Sequence, residues 1–515
     1  VPPPVRAGGQ AKGHEISLQE NRALEFFYRQ TAQGLSGFFG QSFWKGCVLH
    51  LSLGEPAVRH AIASLGTMHQ ALCHGGTRDP MSFALQSYNR SIRLLAQRGV
   101  AGPDTALIFI VCSIVFTCFE FLRGNVEAAL THVTSGINIL SMVRRQRDAH
   151  ASCPRERSYS SFESSLLETE LAPILSTLSI ATSQFGAHDA HGLYLNPVDT
   201  NGSVMFSDSF DSIAEARFGL MDLTTALIKA RQDHSRAGAG PSPEFWERLR
   251  HDLEHWKLKF DDLVRRQQDS WGRADRNAAD VVRIMSRTTH VGISLCSSAT
   301  ESAWDAHRAD FEDIVSRAEV LLSDREPTST RGPSQGFSVE LGLTCPLHMV
   351  AWKCRWPRLR RRGLALLLRL PKRDFIFDSE HHHAVFSRIM EIEEACFGLP
   401  PGGVPDEERL PPEHVRVHHF RTVPRPDLGD HVYAVTFLTK PDGLDRGWHS
   451  RTECLDLDSP RSRQAGTTDH TATVGDLAKS DLSELPLMNL VGAIIVRGEA
   501  SENGAEEPCR EALSL

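Results

Sequence analysis

The sequence predicts an all-α fold: a large multi-helix assembly of packed antiparallel helix hairpins, followed by a disordered C-terminal tail. Apolar residues recur at the helical spacing of three and four from about residue 20 to about residue 397. Strand-like alternation is nearly absent over the same stretch. The periodic segments are separated by clusters rich in Gly, Pro, Ser and Asn, the usual punctuation between helices.

The elements follow in order. The first 15 residues, VPPPVRAGGQAKGHE, hold no apolar signal segment and are expected to be disordered. Helical periodicity then fills 16–143. Pro56 can open a helix because its missing N–H is an orphan there anyway, and Val58, Ala61, Ile62, Leu65, Met68 and Leu72 fall on one face. Tyr88, Ser91, Ile92 and Leu95 form a second stripe. Asp104 is placed to cap a central apolar helix that runs to Leu122 and is broken by Gly124-Asn125. Asn125 caps the next helix, with Ala129, Leu130, Val133, Ile137 and Leu140 on one stripe. The polar stretch 144–165 reads as a linker. Helices resume over 166–400, restarting at Pro173 and recurring near 211–231, 244–268, 276–299, 309–323 and 380–397. Residues 401–456 are expected to be a poorly regular extension, with one strand or hairpin arm at HVYAVTFLTKPDG. Residues 457–515 are rich in Ser, Asp, Gly and Thr and are expected to be largely disordered.

Composition narrows the function classes. Of 515 residues, 64 are Asp or Glu against 56 Lys or Arg, so any surface that grips phosphates has to be local. The 11 cysteines contain no C-x-x-C pair, which suits reduced thiols in the cytosol or nucleus. The longest apolar run, Ala106 to Phe119, is shorter than the ~20 residues that span a bilayer, so no membrane partner is expected.

Candidate chemistry is sparse. His69, Cys73 and His74 lie on one helix, and His188 with His191, His381 to His383, and His414, His418 and His419 form further small groups. None has a second pair at zinc-ligand spacing, so each reads as satisfied or solvated histidine and no metal site is assigned. No phosphate-loop, dinucleotide or nucleophile-elbow motif is present, and Gly34 and Gly37 read as a turn. Glu393 and Glu394 sit on a charge-rich helix whose default reading is a solvated face. No catalytic residue is assigned.

The stretch PLHMVAWKCRWPRLRRRGLALLLRLP places six basic residues between Lys353 and Arg362. From Pro357 onward, Leu359, Gly363, Leu366, Leu367 and Leu370 make one buried stripe. The arginines at 358, 360, 361, 362 and 369 are then what remains outside, so nucleic-acid binding is the minor reading of this run.

The order of these blocks resembles the regulatory region of fungal zinc-cluster (Zn2Cys6) transcription factors, the fungal-specific transcription factor domain or middle homology region. Residues 23–72 are similar to its opening and carry Glu55, Pro56, Arg59, Gly66 and His69. CFEFLRGNVEAALTHVTSGINIL is similar to its most recognisable block and carries Glu120, Arg123, Gly124, Asn125, His132 and Gly136. The basic run resembles a later block, through Lys353, Cys354, Arg355, Pro357 and Arg361, and DSEHHHAVFSRIMEIEE resembles the helix after it. The resemblance spans about 20–445. It makes 16–143 and 166–400 two parts of one regulatory domain and the arginines of the basic run scaffold residues, with Arg355 and Arg361 in inter-helix pairs.

That resemblance implies a nuclear regulator of RNA polymerase II transcription that senses an effector, binds co-regulators and forms a homodimer. The family reads DNA with an N-terminal six-cysteine cluster holding zinc, whereas the first cysteine here is Cys47. DNA contact is therefore expected only through a module missing from these residues, and no cofactor is expected within them. The alternative is a zinc-cluster-less relative acting in secondary metabolism as a small-molecule binder or an enzyme. As an enzyme it would use His69 or His132 as acid or base beside Glu120 in an interior pocket.

Overall fold

The structure is a computed structural model that describes residues 17–39, 42–74, 78–98, 103–151, 165–183, 193–199, 203–237, 241–296, 298–323, 336–339, 342–375, 377–400, 402–429, 431–457 and 494–495. The expected disordered start at 1–15 lies outside these residues, as does most of the tail.

Helix α1 (Leu18–Phe26) begins where the Ser17 side chain accepts the N–H of Glu20. It runs through a π turn at Phe27–Thr31 into α2 (Ala32–Ser36), which stops at Gly37 in a positive-φ conformation. A second π turn, Phe43–Cys47, leads into α3 (Val48–Gly54). Helix α4 (Pro56–His74) buries Val58, Ala61, Ile62, Leu65 and Met68, while Leu72, expected on that stripe, is exposed near its end.

Helix α5 (Arg78–Arg98) packs along α4, and α6 (Pro103–Arg123) lies against α4 and against α7 (Val126–Ala151). The break between α6 and α7 is Gly124, whose φ of 73° suits a residue without Cβ. Asn125 Oδ1 then accepts the N–H of Ala128 and caps α7. The stretch Thr105–Arg123 is long and apolar enough to cross a membrane by length and composition. The apolar pattern of residues 106–119 continues through Phe121 and Leu122, and the hydroxyls of Ser113 and Thr117 bond back to carbonyls of their own helix. The stretch is nevertheless 89% buried inside the protein, which makes it a core helix.

The expected linker at 144–165 is partly helical. Helix α7 continues through Ala151 because Arg144 is anchored, bonding Glu168 and the carbonyl of Tyr194; residues 152–164 lie outside the described ones. A third π turn, Leu167–Leu171, precedes α8 (Ala172–Ser183) and ends two residues before Pro173, which has no N–H to give. Then come α9 (Ile213–Ala237), α10 (Pro243–Gln267), α11 (Arg273–Ser294), a 3-10 turn at Glu301–His307, and α12 (Arg308–Ser323). Helices α13 (Thr344–Lys353), α14 (Pro357–Leu367) and α15 (Ser379–Glu394) complete the helical part.

Strands are few and late. Two-residue strands β1 (Phe337–Ser338), β2 (Arg373–Asp374) and β3 (Phe377–Asp378) make a small sheet. Residues 401–456, expected to be poorly regular, instead hold an antiparallel sheet of β4 (Val417–Pro424), β5 (Val432–Thr439) and β6 (His449–Asp456). One face of that sheet buries Val417, Phe420, Val435 and Phe437 against the α13–α15 layer. Few apolar residues are needed for such a half-covered sheet, so the period-two signal in VHHFRTVP and HSRTECLD is faint. Within the expected disordered tail, β7 (Ile494–Ile495) pairs in parallel with β4.

The apolar interior falls into three clusters. The first surrounds α4 to α8, the second joins α12 to α15 and the sheet, and the third lies between α9, α10 and α11. Phe39 and Met285 touch both the second and the third, and Ile180 touches the first and the third.

Candidate functional site

The chemistry of the basic run is decided by the turn between α13 and α14. Pro357 disfavours a helical conformation at the residue before it, and Cys354 and Trp356 are both extended. The turn carries Lys353 and Arg355 inward. Arg355 Nη2 donates to Glu301 Oε2 at 2.8 Å and to Glu393 Oε1 at 3.0 Å. Lys353 Nζ donates to Glu301 Oε1 at 2.7 Å and lies 3.9 Å from the centre of the Trp352 ring. Arg360 donates from Nη1 to Glu393 Oε2 at 2.6 Å and from Nε and Nη2 to the carbonyls of Ala351 and Trp352. Those are orphan carbonyls in the last turn of α13, where a cation also suits the helix dipole.

Three cations thus share two carboxylates in a dry interior, and the backbone N–H of Val417 at the start of β4 completes the shell of Glu393. Burial opposes ionisation of Glu393, but Arg355 and Arg360 outweigh it and hold its pKa at about 2. Burial pulls Lys353 down to about 8 although Glu301 pushes the other way. Burial, against the pull of Arg360 and Arg355, pushes the Cys354 thiol up to about 12, so it is a packing group and not a nucleophile. Around this centre, Arg416 pairs with Asp305, and Glu413 accepts the N–H groups of Glu301 and Ser302. The network ties the α13–α14 turn, α15, the Glu301–His307 turn and β4 into one joint.

Arg355 and Arg360 are therefore inside, where the helical stripe alone put Arg360 outside. The reason is Glu393, which is fully buried and not on a solvated face. Arg361 reaches Glu394 on α15 through two bonds of 2.9 and 2.6 Å, and Arg362 pairs with Glu312 and Glu319 on α12. An open groove of about 620 Å³ lies between Arg358, Arg361 and Arg362 on one side and Asp406 and Glu407 on the other. Its arginines face carboxylates of their own chain, which leaves little net positive field for a phosphate backbone.

The N-terminal motif residues also make scaffold contacts. Glu55 pairs with Arg98 across α4 and α5, and Arg59 with Glu20 on α1 at 3.3 Å. Pro56 starts α4. A Cβ on Gly66 would lie 2.6 Å from the Ala23 carbonyl, so this glycine lets α1 approach α4 closely. On Gly136 it would lie 2.9 Å from a Leu175 methyl. The carbonyl of buried Glu120 accepts the N–H of Asn125, and its carboxylate lies 3.2 Å from Arg123.

His69 bonds Thr31 at 2.9 Å, whereas His132 bonds Tyr88 at 2.7 Å and stands against Phe116. Burial keeps the His132 ring neutral, with a pKa of about 4. The two histidines and Glu120 each have partners of their own and are not brought together as an acid–base pair. Of the other histidine groups, His381 and His382 pack against aromatic rings, His418 and His419 stand over Trp448, and His188 and His191 lie outside the described residues.

Two arrangements were not legible in the sequence. A cavity of about 40 Å³ opens where the three clusters meet, lined by Phe39, Ile180, Arg217, Met221 and Met285 among others. Arg217 lies 4.2 Å from the centre of the Phe39 ring and donates to Thr177. Separately, His290, His307 and Asp310 place one ligand atom each within 4.8 Å of one another. The one sequence signal for the latter is His307 and Asp310 a helical turn apart.

Residues 22–182 match the family described as fungal specific transcription factor domain. That match spans most of α1 through α8. The chain is also similar to the aspercryptin biosynthesis cluster-specific transcription regulator atnN of Emericella nidulans, at 22% identity over 77% of this chain and 77% of that protein. No solved structure matches. The match and the relative support a regulatory role in transcription, and transcription regulators of this kind are not enzymes. The motif residues around α4 to α7 belong to the matched region.

Proposed function

We propose that this chain is the effector-sensing regulatory region of a nuclear transcription regulator that controls genes of a biosynthetic cluster. The observation that carries the sensing is the Arg217 cavity, which sits where three separately packed cores touch. At about 40 Å³ it holds on the order of one or two waters, so an effector has to widen it. Widening it shifts the cores against one another, and a ligand that binds the widened state better shifts the population toward it. Arg217 gives the seam one charged group among walls whose other polar side chains are Thr177 and Thr224, which suits a small, mainly apolar effector bearing a carboxylate or carbonyl. Co-regulators and a second copy of the chain would read the resulting arrangement. Sequence-specific DNA reading, and the zinc that serves it, belong to a separate module.

The test fuses the chain to a heterologous DNA-binding domain in a fungal nucleus carrying a reporter. The reporter changes relative to the DNA-binding domain alone, and Arg217→Met alters its response to small molecules without loss of the folded protein. A fusion that leaves the reporter at the level of the DNA-binding domain alone overturns the regulatory reading. A response untouched by Arg217→Met overturns the assignment of the cavity.

A further inference from the structure

We infer that His290, His307 and Asp310 form a binding site for one divalent first-row transition-metal ion of the zinc class. His290 comes from α11, His307 ends the Glu301–His307 turn and Asp310 lies in the first turn of α12. His307 Nδ1 is 2.9 Å and His290 Nδ1 3.5 Å from the same oxygen, Asp310 Oδ2. The longer separation is not a hydrogen bond, and His290 Nδ1 is a buried nitrogen with no hydrogen-bond partner. The ligand atoms of all three residues lie within 4.8 Å of one another. Metal–ligand bonds of roughly 2.0 to 2.2 Å at tetrahedral angles put ligand atoms about 3.3 to 3.6 Å apart, so a small spreading of the trio admits the ion.

The donor set favours zinc-class ions over calcium or magnesium. Two imidazoles and one carboxylate suit zinc and its neighbours, whereas the hard cations take oxygen ligands. Three protein ligands leave a fourth position for water or a donor from elsewhere. The second oxygen of Asp310 lies 3.5 Å from Arg287, whose shorter contact at 3.1 Å goes to Asp313. Arg287 therefore bonds Asp313 and only stands near the other oxygen of Asp310. The ion would fasten α11 to the start of α12 and so pin the turn that carries Glu301 and Asp305. The inference does not depend on the proposed effector cavity, which is built from other residues.

The full chain, stripped with chelator and dialysed, is titrated with zinc sulfate by calorimetry. Cobalt(II) is added in a parallel sample to read ligand-field absorption. A saturable site for one zinc is expected in the parent protein. His307→Ala and Asp310→Asn are each expected to weaken it by at least the roughly hundredfold that even loss of an outer partner of a ligand can cost. His290→Gln keeps the size of the side chain but removes the imidazole, and serves if the other variants do not fold, as judged by helical circular dichroism. The cobalt spectrum is expected to disappear with the zinc site. Absence of saturable binding overturns the proposal. So does a parent stoichiometry that survives in every folded variant, since the zinc is then held by other histidines or cysteines.

Discussion

Arg355 and Glu393 face each other 3.0 Å apart with no exposed side-chain surface on either. The pair joins the α13–α14 turn to α15, and Glu393 at the same time holds Arg360 and the first strand of the large sheet. Replacing such a pair by apolar groups can be neutral, but removing one member strands the other charge. Glu393→Ala strands Arg360, leaves Arg355 with Glu301 alone, and is expected to lower stability by about 3–5 kcal/mol, read as a shifted midpoint in urea denaturation followed by circular dichroism. The double variant Arg355→Met/Glu393→Leu is expected to recover part of that loss.

The buried histidines make the fold sensitive to mild acid. His132 titrates at about 4 in the folded chain against 6.5 when exposed, because burial disfavours the charged ring. As pH falls through 6.5 the unfolded chain takes up the proton first, so stability declines from about 6.5 down to 4 and the loss is complete below that. Glu393 acts lower: held at about 2 against a usual 4.5, its contribution is intact above 4.5 and is lost as pH falls toward 2. His419 and His381 are lowered by burial in the same way, so His132→Gln is expected to make the fall between 6.5 and 4 less steep without abolishing it.

Gly66→Ala is expected to destabilise the first cluster. The added methyl meets the Ala23 carbonyl at 2.6 Å and the Cβ of Phe27 at 3.0 Å, and a backbone oxygen cannot swing aside as a side chain can. The overpacking costs about 1–3 kcal/mol, partly offset by the higher helix propensity of alanine. Thermal unfolding of the variant against the parent gives the balance, with a lower midpoint expected.

Fluorescence anisotropy with duplex DNA is expected to show only weak association at low salt, and none of the steep salt dependence that many phosphate contacts produce. Arg362→Ala is expected to leave that association unchanged, because its guanidinium is already engaged by Glu312 and Glu319. On stability the same change is expected to cost less than about 1 kcal/mol, as for other partly exposed pairs.

The helices were legible because each buries one stripe at a fixed period, and the stripes of Val58 to Met68 and of Leu359 to Leu370 are both in the interior. Helix starts at Pro56 and Pro357 were legible for a local reason, the missing N–H. The sheet was less so, since strands covered on one face and carrying histidines and arginines show little contrast. The buried charges were misread for a different reason. Periodicity sorts residues by polarity, and it cannot foresee that Glu393, Arg355 and Arg360 cancel one another in the interior. The Arg217 cavity and the His290, His307 and Asp310 trio join residues from separate helices and turns, so spacing along the chain carries almost no trace of them.

Helix α6 has a consequence for how the protein is made. As it leaves the ribosome it offers a 19-residue stretch with the length and apolarity of a bilayer span. Its cover comes from both sides of the chain: α4 has already been synthesised, but α7 has not. Until residues 126–151 follow, the part of that apolar surface that packs on α7 is without its native cover. A nascent chain that stalls after Arg123 presents that surface with no native partner for it and becomes a substrate for quality control.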